Sequence, residues 1–563
     1  MKSIIQRCLK WSGGHDKNEE FDDDMYNINR YLRLKEKLKE LRTIALTGIA
    51  EAGSGHPGAS FSAAEIMGCL YFQIMNNDIK HPSNPNRDYF INSKAHSAPG
   101  YYATLSLAGS FPKEEIKTLR KLNSRLQGHP VRYSEMQKHH SVPGIEYSGG
   151  SEGIGLSVSI GICLANKLDK RDNMVYCLLG DGETNEGQIW EASMAAAKFK
   201  LNNLIAILDR NKIQQDGFTE EIMPIDPVKE KWLSFNWEVV EINGHKIEQL
   251  IPELLKRPTD KPKIIIANTV KGNGIKHMAN NPQWHGKAPS KKHLPLLVRE
   301  LEGEYMISPS IIAGADGISE ESLKQKIAKA EQYGADMIHL DVMDGKFVPN
   351  STFFFDTIKK LRNETRLPFD AHLMIQKPTL VLDRYIDAGC DVITVHAEAC
   401  SNEQEFERIN SKLVSNGVSP GLAVNPGTDL PEWIFSYLDN LDVIIIMSVN
   451  PGFAGQKFIP EVLPKMKKII PLLRERGFKG YFEADGGIDL STITQCFDAG
   501  CRIFVMGNAI FGHSNVDKRI SETKFLLDSY LEKSLLEESR YLNLEEDWIK
   551  GRRNIIEQFN LSR

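Results

Sequence analysis

Short apolar runs alternate with stretches of helical periodicity along most of the chain, and the rhythm changes once. From about residue 306 onward eight runs recur, near Ile307–Ser310, Met337–Asp341, Phe369–Met374, Val392–His396, Gly421–Val424, Val443–Met447, Tyr481–Asp485 and Ile503–Met506. The runs are short and mainly apolar, as strands buried on both faces are. Eight β-α units in about 210 residues predict a small (β/α)8 TIM barrel over residues 306–514. Earlier in the chain, long helical patterns are interleaved with runs such as Met174–Leu179 and Leu204–Leu208. That pattern predicts a parallel α/β domain over residues 28–292, with helices on both faces of its sheet. The polar, proline-broken stretch Lys287–His293 and a helical segment over Leu294–Glu304 mark the join, with residues 293–305 as linker. Two tails remain, residues 1–27, acidic around Asp22–Asp24, and residues 515–563, helical and charged. Both are expected to be solvated arms or oligomer contacts.

A chain of 563 residues is too long for one core, so more than one domain is required. A net charge of -5 supplies no field that would gather nucleic acid or an anionic membrane. No apolar run approaches the ~18–20 residues that span a bilayer, and the start Met1–Lys10 is too broken for a signal peptide. The cysteines form no CxxC pair, and Cys163, Cys177 and Cys390 sit in apolar runs as buried thiols do. A cytoplasmic protein is the expectation.

Candidate chemistry concentrates where strands end. In Met337–Asn350, His339 and Asp341 are two residues apart, and alternation along a strand puts both side chains on one face. An imidazole beside a carboxylate suits a divalent metal or a proton transfer, and also a satisfied polar pair. His372 near the end of a third run and Asp485 at the end of the seventh extend the set. Two imidazoles and two carboxylates would serve a catalytic transition metal with positions left for substrate oxygens. Asp341 and Asp485 could stand on opposite faces of a bound sugar, one taking a proton beside a ketone and the other returning one. Glycines at Gly486-Gly487, at Gly507-Asn508 and in the loop Asn450–Gln456 would let backbone N–H groups close on an anion. Met343, Met374 and Met447 lie beside these positions, as core or as thioethers packed over a planar substrate.

The barrel resembles ribulose-phosphate 3-epimerases from Ser308-Pro-Ser310 to Gly507-Asn-Ala-Ile510. The matching motifs are His-Leu-Asp-Val-Met-Asp-Gly at 339–345, His-Leu-Met at 372–374, Asn-Pro-Gly-Phe-Ala-Gly-Gln at 450–456 and Asp-Gly-Gly at 485–487. The resemblance implies zinc, iron, manganese or cobalt on His339, Asp341, His372 and Asp485, with the two aspartates as acid and base. It also implies that Ser310, His372, Gly452, Phe453, Ala454, Gly455, Gly486, Gly487, Gly507 and Asn508 hold the sugar phosphate. The family usually carries glycine where Ala454 stands. Relatives of this family epimerise a ketohexose 6-phosphate, which leaves the sugar open.

In the first half, Gly180-Asp181-Gly182 follows one apolar run and Asn211-Lys212-Ile213 follows another. A carboxylate and an amide at two strand ends can share one hard cation that also keeps company with phosphates. Four histidines stand in turn-like contexts beside glycine or proline: His56, His96, His129 and His285. Residues 35–290 resemble the cofactor-binding N-terminal portion of transketolases. The resemblance implies magnesium on Asp181, Asn211 and the carbonyl of Ile213, clamping thiamine diphosphate. It places His56, His96, His129, Gly153, Gly182, Lys271 and His285 at cofactor and substrate. Ser148–Gly155 would supply further backbone donors toward phosphate. Here Glu152 replaces an apolar residue of the family pattern and sets a carboxylate near the expected diphosphate. The pyrimidine-binding domain of transketolases has no counterpart before the barrel begins. The expected protein is therefore an epimerase fused to a transketolase N-terminal subunit, oligomeric, needing a partner chain that brings the pyrimidine-binding domain. The alternative is an epimerase carrying a non-catalytic cofactor-binding or scaffold module.

Overall fold

The computed structural model describes residues 30–561 apart from 216, 353, 514, 543 and 545, so the expected 1–27 tail lies outside the described residues. The chain divides into two compact units. One comprises Lys37–Glu302 with Leu535–Ile555; the other comprises the described residues up to Glu36, Gly303–Ser534, and the residues from Ile556 on. Among the described residues no helix is long and apolar enough to cross a membrane.

The first unit is built on β1 (Tyr89–Asn92), β2 (Val175–Gly180), β3 (Leu204–Arg210), β6 (Glu238–Asn243) and β7 (Lys263–Asn268), with a small hairpin of β4 (Ile213–Gln214) and β5 (Gly217–Phe218). The sheet runs in the order β1-β2-β3-β7-β6, and every neighbouring pair is parallel. β2 and β3 are buried along their whole length, which is why they read as unbroken apolar runs. β6 is the edge strand and carries Glu238 and Glu241 at partly or fully exposed positions, so its sequence lacks that signal. Leu156, Ile160 and Cys163 of the helix Ile154–Leu168 join Val175, Cys177, Leu204 and Ile264 in one core. In place of a solvated arm, part of the carboxy-terminal tail belongs to this unit, with Trp548 and Arg552 buried.

The second unit is a barrel of eight parallel strands: β8 (Met306–Pro309), β9 (Ile338–Met343), β10 (Phe369–Met374), β11 (Val392–His396), β12 (Ser419–Val424), β13 (Val443–Met447), β14 (Tyr481–Asp485) and β15 (Ile503–Met506). Their order is β8-β15-β14-β13-β12-β11-β10-β9, and β8 meets β9 through a single parallel bridge, Ser310 to His339. The barrel is therefore nearly closed. Gly389 and Gly500 follow their helices in the left-handed conformation, at φ 93° and 108°. That conformation is costly with a Cβ, and it turns the chain into the next strand within a few residues. Register then fixes the site. His339 lies opposite Asp370, Asp341 opposite His372, and Met447 opposite Asp485.

Candidate functional site

In the barrel, β9, β10 and β14 bring His339, Asp341, His372 and Asp485 together, each offering one ligand atom within 4.8 Å of all the others. His339 Nε2 stands 3.6 Å from Asp341 Oδ1 and 3.7 Å from Asp485 Oδ2, while His372 Nδ1 stands 3.1 Å from Asp485 Oδ2 and 3.9 Å from Asp341 Oδ1. His339 Nε2 is buried and has no hydrogen-bond partner among the described residues. A buried nitrogen facing two carboxylates at such distances fits a ligand aimed at a shared cation. Burial opposes ionising Asp341, but His339, His372 and the Ser310 hydroxyl outweigh it and hold the carboxyl at about 2. Ser310 Oγ donates to Asp341 Oδ2 at 2.6 Å.

A second layer lies below. His339 Nδ1 bonds Asp370 Oδ2 at 2.8 Å and lies 3.5 Å from Glu483 Oε1, both carboxylates being fully buried. On the far side, His372 Nε2 bonds His396 Nε2 at 2.8 Å, and His396 Nδ1 reaches Glu398 at 3.3 Å. Asp370, Glu483, His396 and Glu398 are not among the residues that the sequence motifs single out. Asp370 and Glu483 stand two residues before His372 and Asp485, so the alternation that pairs His339 with Asp341 is the signal that could have found them. Such partners fix which imidazole nitrogen faces a metal.

Above the four groups opens a cavity of about 690 Å³. It is lined by the expected Ser310, Gly452, Phe453, Ala454, Gly455, Gly486, Gly487, Gly507 and Asn508, and by all three methionines, whereas His372 lies buried behind it. A Cβ on Gly486 would stand 2.3 Å from Val449 Cγ2, and one on Gly487 would stand 2.4 Å from the Phe458 nitrogen. Both glycines have positive φ, so the turn tolerates no other residue type easily. His513 and Arg519 also line the cavity, from a stretch in which the sequence marks no function.

In the first unit, Asp181 and Asn211 follow β2 and β3, which are neighbours, and Asp181 Oδ2 accepts the Lys212 N–H at 2.5 Å. Burial first, and Asp209 second, push Asp181 up to about 6, against the opposing pull of Lys94 and Lys271. Its Oδ1 accepts the Gly182 N–H at 2.9 Å. The imidazoles of His56, His96 and His285 form a triangle with centroids 5.3, 5.4 and 5.4 Å apart. Burial foremost, with Arg120 and Lys271 next, lowers His56 to about 4, and burial with Lys271 lowers His285 to about 2. Lys271 Nζ bonds His285 Nδ1 at 2.8 Å and is itself lowered to about 7, by burial and then by Lys94. His129 is outside the triangle, with Nδ1 about 4.0 Å from where a Cβ on Gly150 would stand.

Several groups expected at the cofactor are engaged within the protein. The Ile213 carbonyl accepts Lys271 Nζ at 2.8 Å, the Gly153 N–H donates to Glu183 Oε1 at 2.7 Å, and the Gly155 N–H donates to Ser93 Oγ at 3.2 Å. Glu183 is buried and pushed up to about 7, mainly by that burial. Glu152 Oε1 lies 3.4 Å from His96 Nδ1, at the edge of the histidine triangle. Beneath them Asp209 holds Lys94, Ser62 and Thr269 in a fully buried network that no sequence motif marks.

A parallel α/β unit with a carboxylate and an amide after neighbouring strands, and a (β/α)8 barrel in which four ligand-capable side chains converge, are thus the two classes of site present. Family comparison assigns both. The thiamine diphosphate binding domain of transketolase matches residues 34–306, and the ribulose-phosphate 3 epimerase family matches residues 306–511. An apulose-4-phosphate transketolase subunit of Actinobacillus succinogenes is 42% identical over 282 residues, covering 50% of this chain and 99% of the relative. The 6-deoxy-6-sulfo-D-fructose transketolase subunit SqwG of Clostridium sp. is 38% identical over 273 residues, 48% of this chain and 97% of its own. Transketolase of Homo sapiens is 36% identical over 281 residues, but these are only 44% of that protein. Among solved structures, transketolase from Campylobacter jejuni aligns over 90% of this chain and 99% of its own at 17% identity, with a TM-score of 0.43. The chain belongs to the transketolase N-terminal subunit family in its first half and carries a ribulose-phosphate 3-epimerase family domain in its second.

Proposed function

We propose that the barrel epimerises ribulose 5-phosphate to xylulose 5-phosphate, carried by one observation, the convergence of His339, Asp341, His372 and Asp485. These four would hold a divalent transition metal, which when bound would polarise the substrate carbonyl and so acidify the neighbouring C–H. Asp341 and Asp485 come from well-separated strands, β9 and β14, and flank the same point. One removes the proton from its face of the sugar and the other returns a proton to the opposite face, which inverts that carbon. Ser310 keeps Asp341 oriented and ionised between turnovers. The backbone of Gly486, Gly487 and Gly507 receives the phosphate, and Arg519 adds a cation at the cavity wall. The test is the full-length chain, metal-loaded, with ribulose 5-phosphate in deuterated water. Xylulose 5-phosphate labelled at C3 is expected; no label and no product would defeat the reading.

For the first unit we propose a transketolase N-terminal subunit that works with a partner chain carrying the pyrimidine-binding domain. Two relatives matched almost end to end are named as subunits, and the match spans under half of the single-chain human enzyme. Asp181, Asn211 and the Ile213 carbonyl would hold magnesium, and the bound thiamine diphosphate would supply an electron sink for a two-carbon ketol unit. Lys271 must then give up or share the Ile213 carbonyl. His56, His96 and His285, uncharged at neutral pH, offer hydrogen bonds to the sugar hydroxyls. Xylulose 5-phosphate is a ketose of the kind this chemistry cleaves, so one unit's product suits the other. The seven free cysteines among the described residues suit a reducing cytoplasm. Two-carbon transfer from xylulose 5-phosphate to an aldose phosphate should appear only when the partner is added, and activity of the chain by itself would overturn this reading.

A further inference from the structure

Residues Leu535–Ile555 lie beyond the barrel in sequence, past the last residue that either family match reaches, yet they group with Lys37–Glu302. Trp548 is the anchor. Its indole stacks on His293 with centroids 4.1 Å apart and 17° between planes, and it packs on His277 at 4.3 Å and edge-on to Trp284 at 5.7 Å. One helical turn on, Arg552 closes a 2.6 Å ion pair with Glu300, and both side chains are buried. Between them Gly551 approaches so closely that a Cβ would stand 2.2 Å from His277 Cε1. A full turn of the helix Glu546–Leu561 is thus fitted to the segment that runs from His277 to His293. That segment carries His285, the next residue after Trp284, which forms one corner of the histidine triangle and bonds Lys271.

We propose that Trp548 is a positioning residue for the transketolase-like site. By clamping His277, Trp284 and His293 it sets where the His285 imidazole stands against His56, His96 and Lys271. The inference rests on reading that triangle as the cofactor and sugar site, and it adds that the site depends on residues encoded after the other enzyme's domain. A flat aromatic wedge is suited to this role, because stacking fixes the planes of its neighbours as well as their distance.

The test uses the full chain and its Trp548→Ala and Trp548→Phe variants. The first readout is the His285 imidazole NMR signal, assigned by its loss in His285→Asn. The second is calorimetric affinity for thiamine diphosphate with magnesium, and epimerase turnover by the barrel serves as the folding control in the same molecule. Trp548→Ala should shift the His285 signal and weaken cofactor binding on the order of tenfold, as small displacements of a positioned group do. Trp548→Phe should recover most of both, with epimerase turnover unchanged in each. An unmoved His285 signal in Trp548→Ala would overturn the proposal, and so would a moved signal with unaltered cofactor affinity. A wild-type chain that binds no thiamine diphosphate would instead defeat the reading of the site, while the His285 signal still decides whether Trp548 positions it.

Discussion

In the barrel, four ligand-capable side chains meet within 4.8 Å, and one of their nitrogens has no hydrogen-bond partner among the described residues. In the transketolase-like unit, by contrast, the Ile213 carbonyl is bound by Lys271 and the Gly153 N–H by Glu183. The barrel's four groups converge from three strands of one unit. In the other unit the corresponding groups bond one another. The difference follows from topology. A nearly closed ring of strands aims side chains from β9, β10 and β14 at one point. An open sheet ends its strands along an edge, and a ligand there is enclosed only by something added.

The largest effect expected from this contrast is in the barrel. Asp341→Asn and Asp485→Asn should each lower epimerase turnover by about 10³–10⁴, because each removes an acid–base group and a metal ligand together. Thiamine diphosphate binding by the same variants should not change. Near wild-type epimerisation in either would end the two-aspartate mechanism, measured by deuterium entry at C3.

Much of this is legible in the sequence where the physics is local. Strand alternation alone puts His339 beside Asp341, and buried strands such as Val443–Met447 announce themselves as apolar runs. The same rule reaches Asp370 and Glu483, but the motifs mark only the strand-end residues, so the layer beneath the metal ligands carries no flag of its own. The edge strand Glu238–Asn243 escapes because half-exposed strands carry polar residues. What cannot be read are pairings between distant segments. Nothing local tells Gly153 that Glu183 will take its N–H, or Trp548 that it will lie on His293.

Acid should separate the two units next. Glu65 of the first unit bonds Arg42 at 2.5 Å and His245 at 2.9 Å. Burial pushes its carboxyl up, but Arg42 and His245 prevail and bring it from 4.5 to about 2. A lowered folded value means the stabilisation is complete above pH 4.5 and is lost as pH falls toward 2, about 3 kcal/mol in all. The barrel's comparable pair has the opposite sign. Asp391 bonds Arg362 at 3.0 Å, yet burial outweighs the guanidinium and raises its carboxyl, so acid relieves a cost there. Trp190, Trp232, Trp237, Trp284 and Trp548 report the first unit and Trp433 the barrel. Thermal unfolding followed by tryptophan fluorescence should lose stability below pH 4.5, and Glu65→Gln should flatten that dependence. In the same unit Asp181→Ala should weaken magnesium–thiamine diphosphate binding by about a hundredfold, with epimerase turnover intact; unaltered affinity would mean that the metal corner is misassigned.

The smallest effect concerns Glu152, which sharpens the comparison most. Glycine backbone and Arg519 line the barrel's cavity, whereas the other unit sets a carboxylate 3.4 Å from His96 at the edge of its triangle. Two like charges about 4 Å apart in a largely hydrated cleft repel by about 1 kcal/mol, which corresponds to about fivefold in affinity. Glu152→Leu should therefore tighten thiamine diphosphate by about fivefold, and Glu152→Gln should do nearly the same because it removes the charge and keeps the shape. Raising salt should shrink the gap between wild type and both variants, since the repulsion is screened over ~8–10 Å. If Glu152→Leu tightens binding but Glu152→Gln does not, the gain is apolar contact rather than relief of repulsion. If both variants bind more weakly, Glu152 is a ligand-facing hydrogen-bond acceptor, and the carboxylate belongs to this unit's choice of sugar rather than standing in the way of its cofactor.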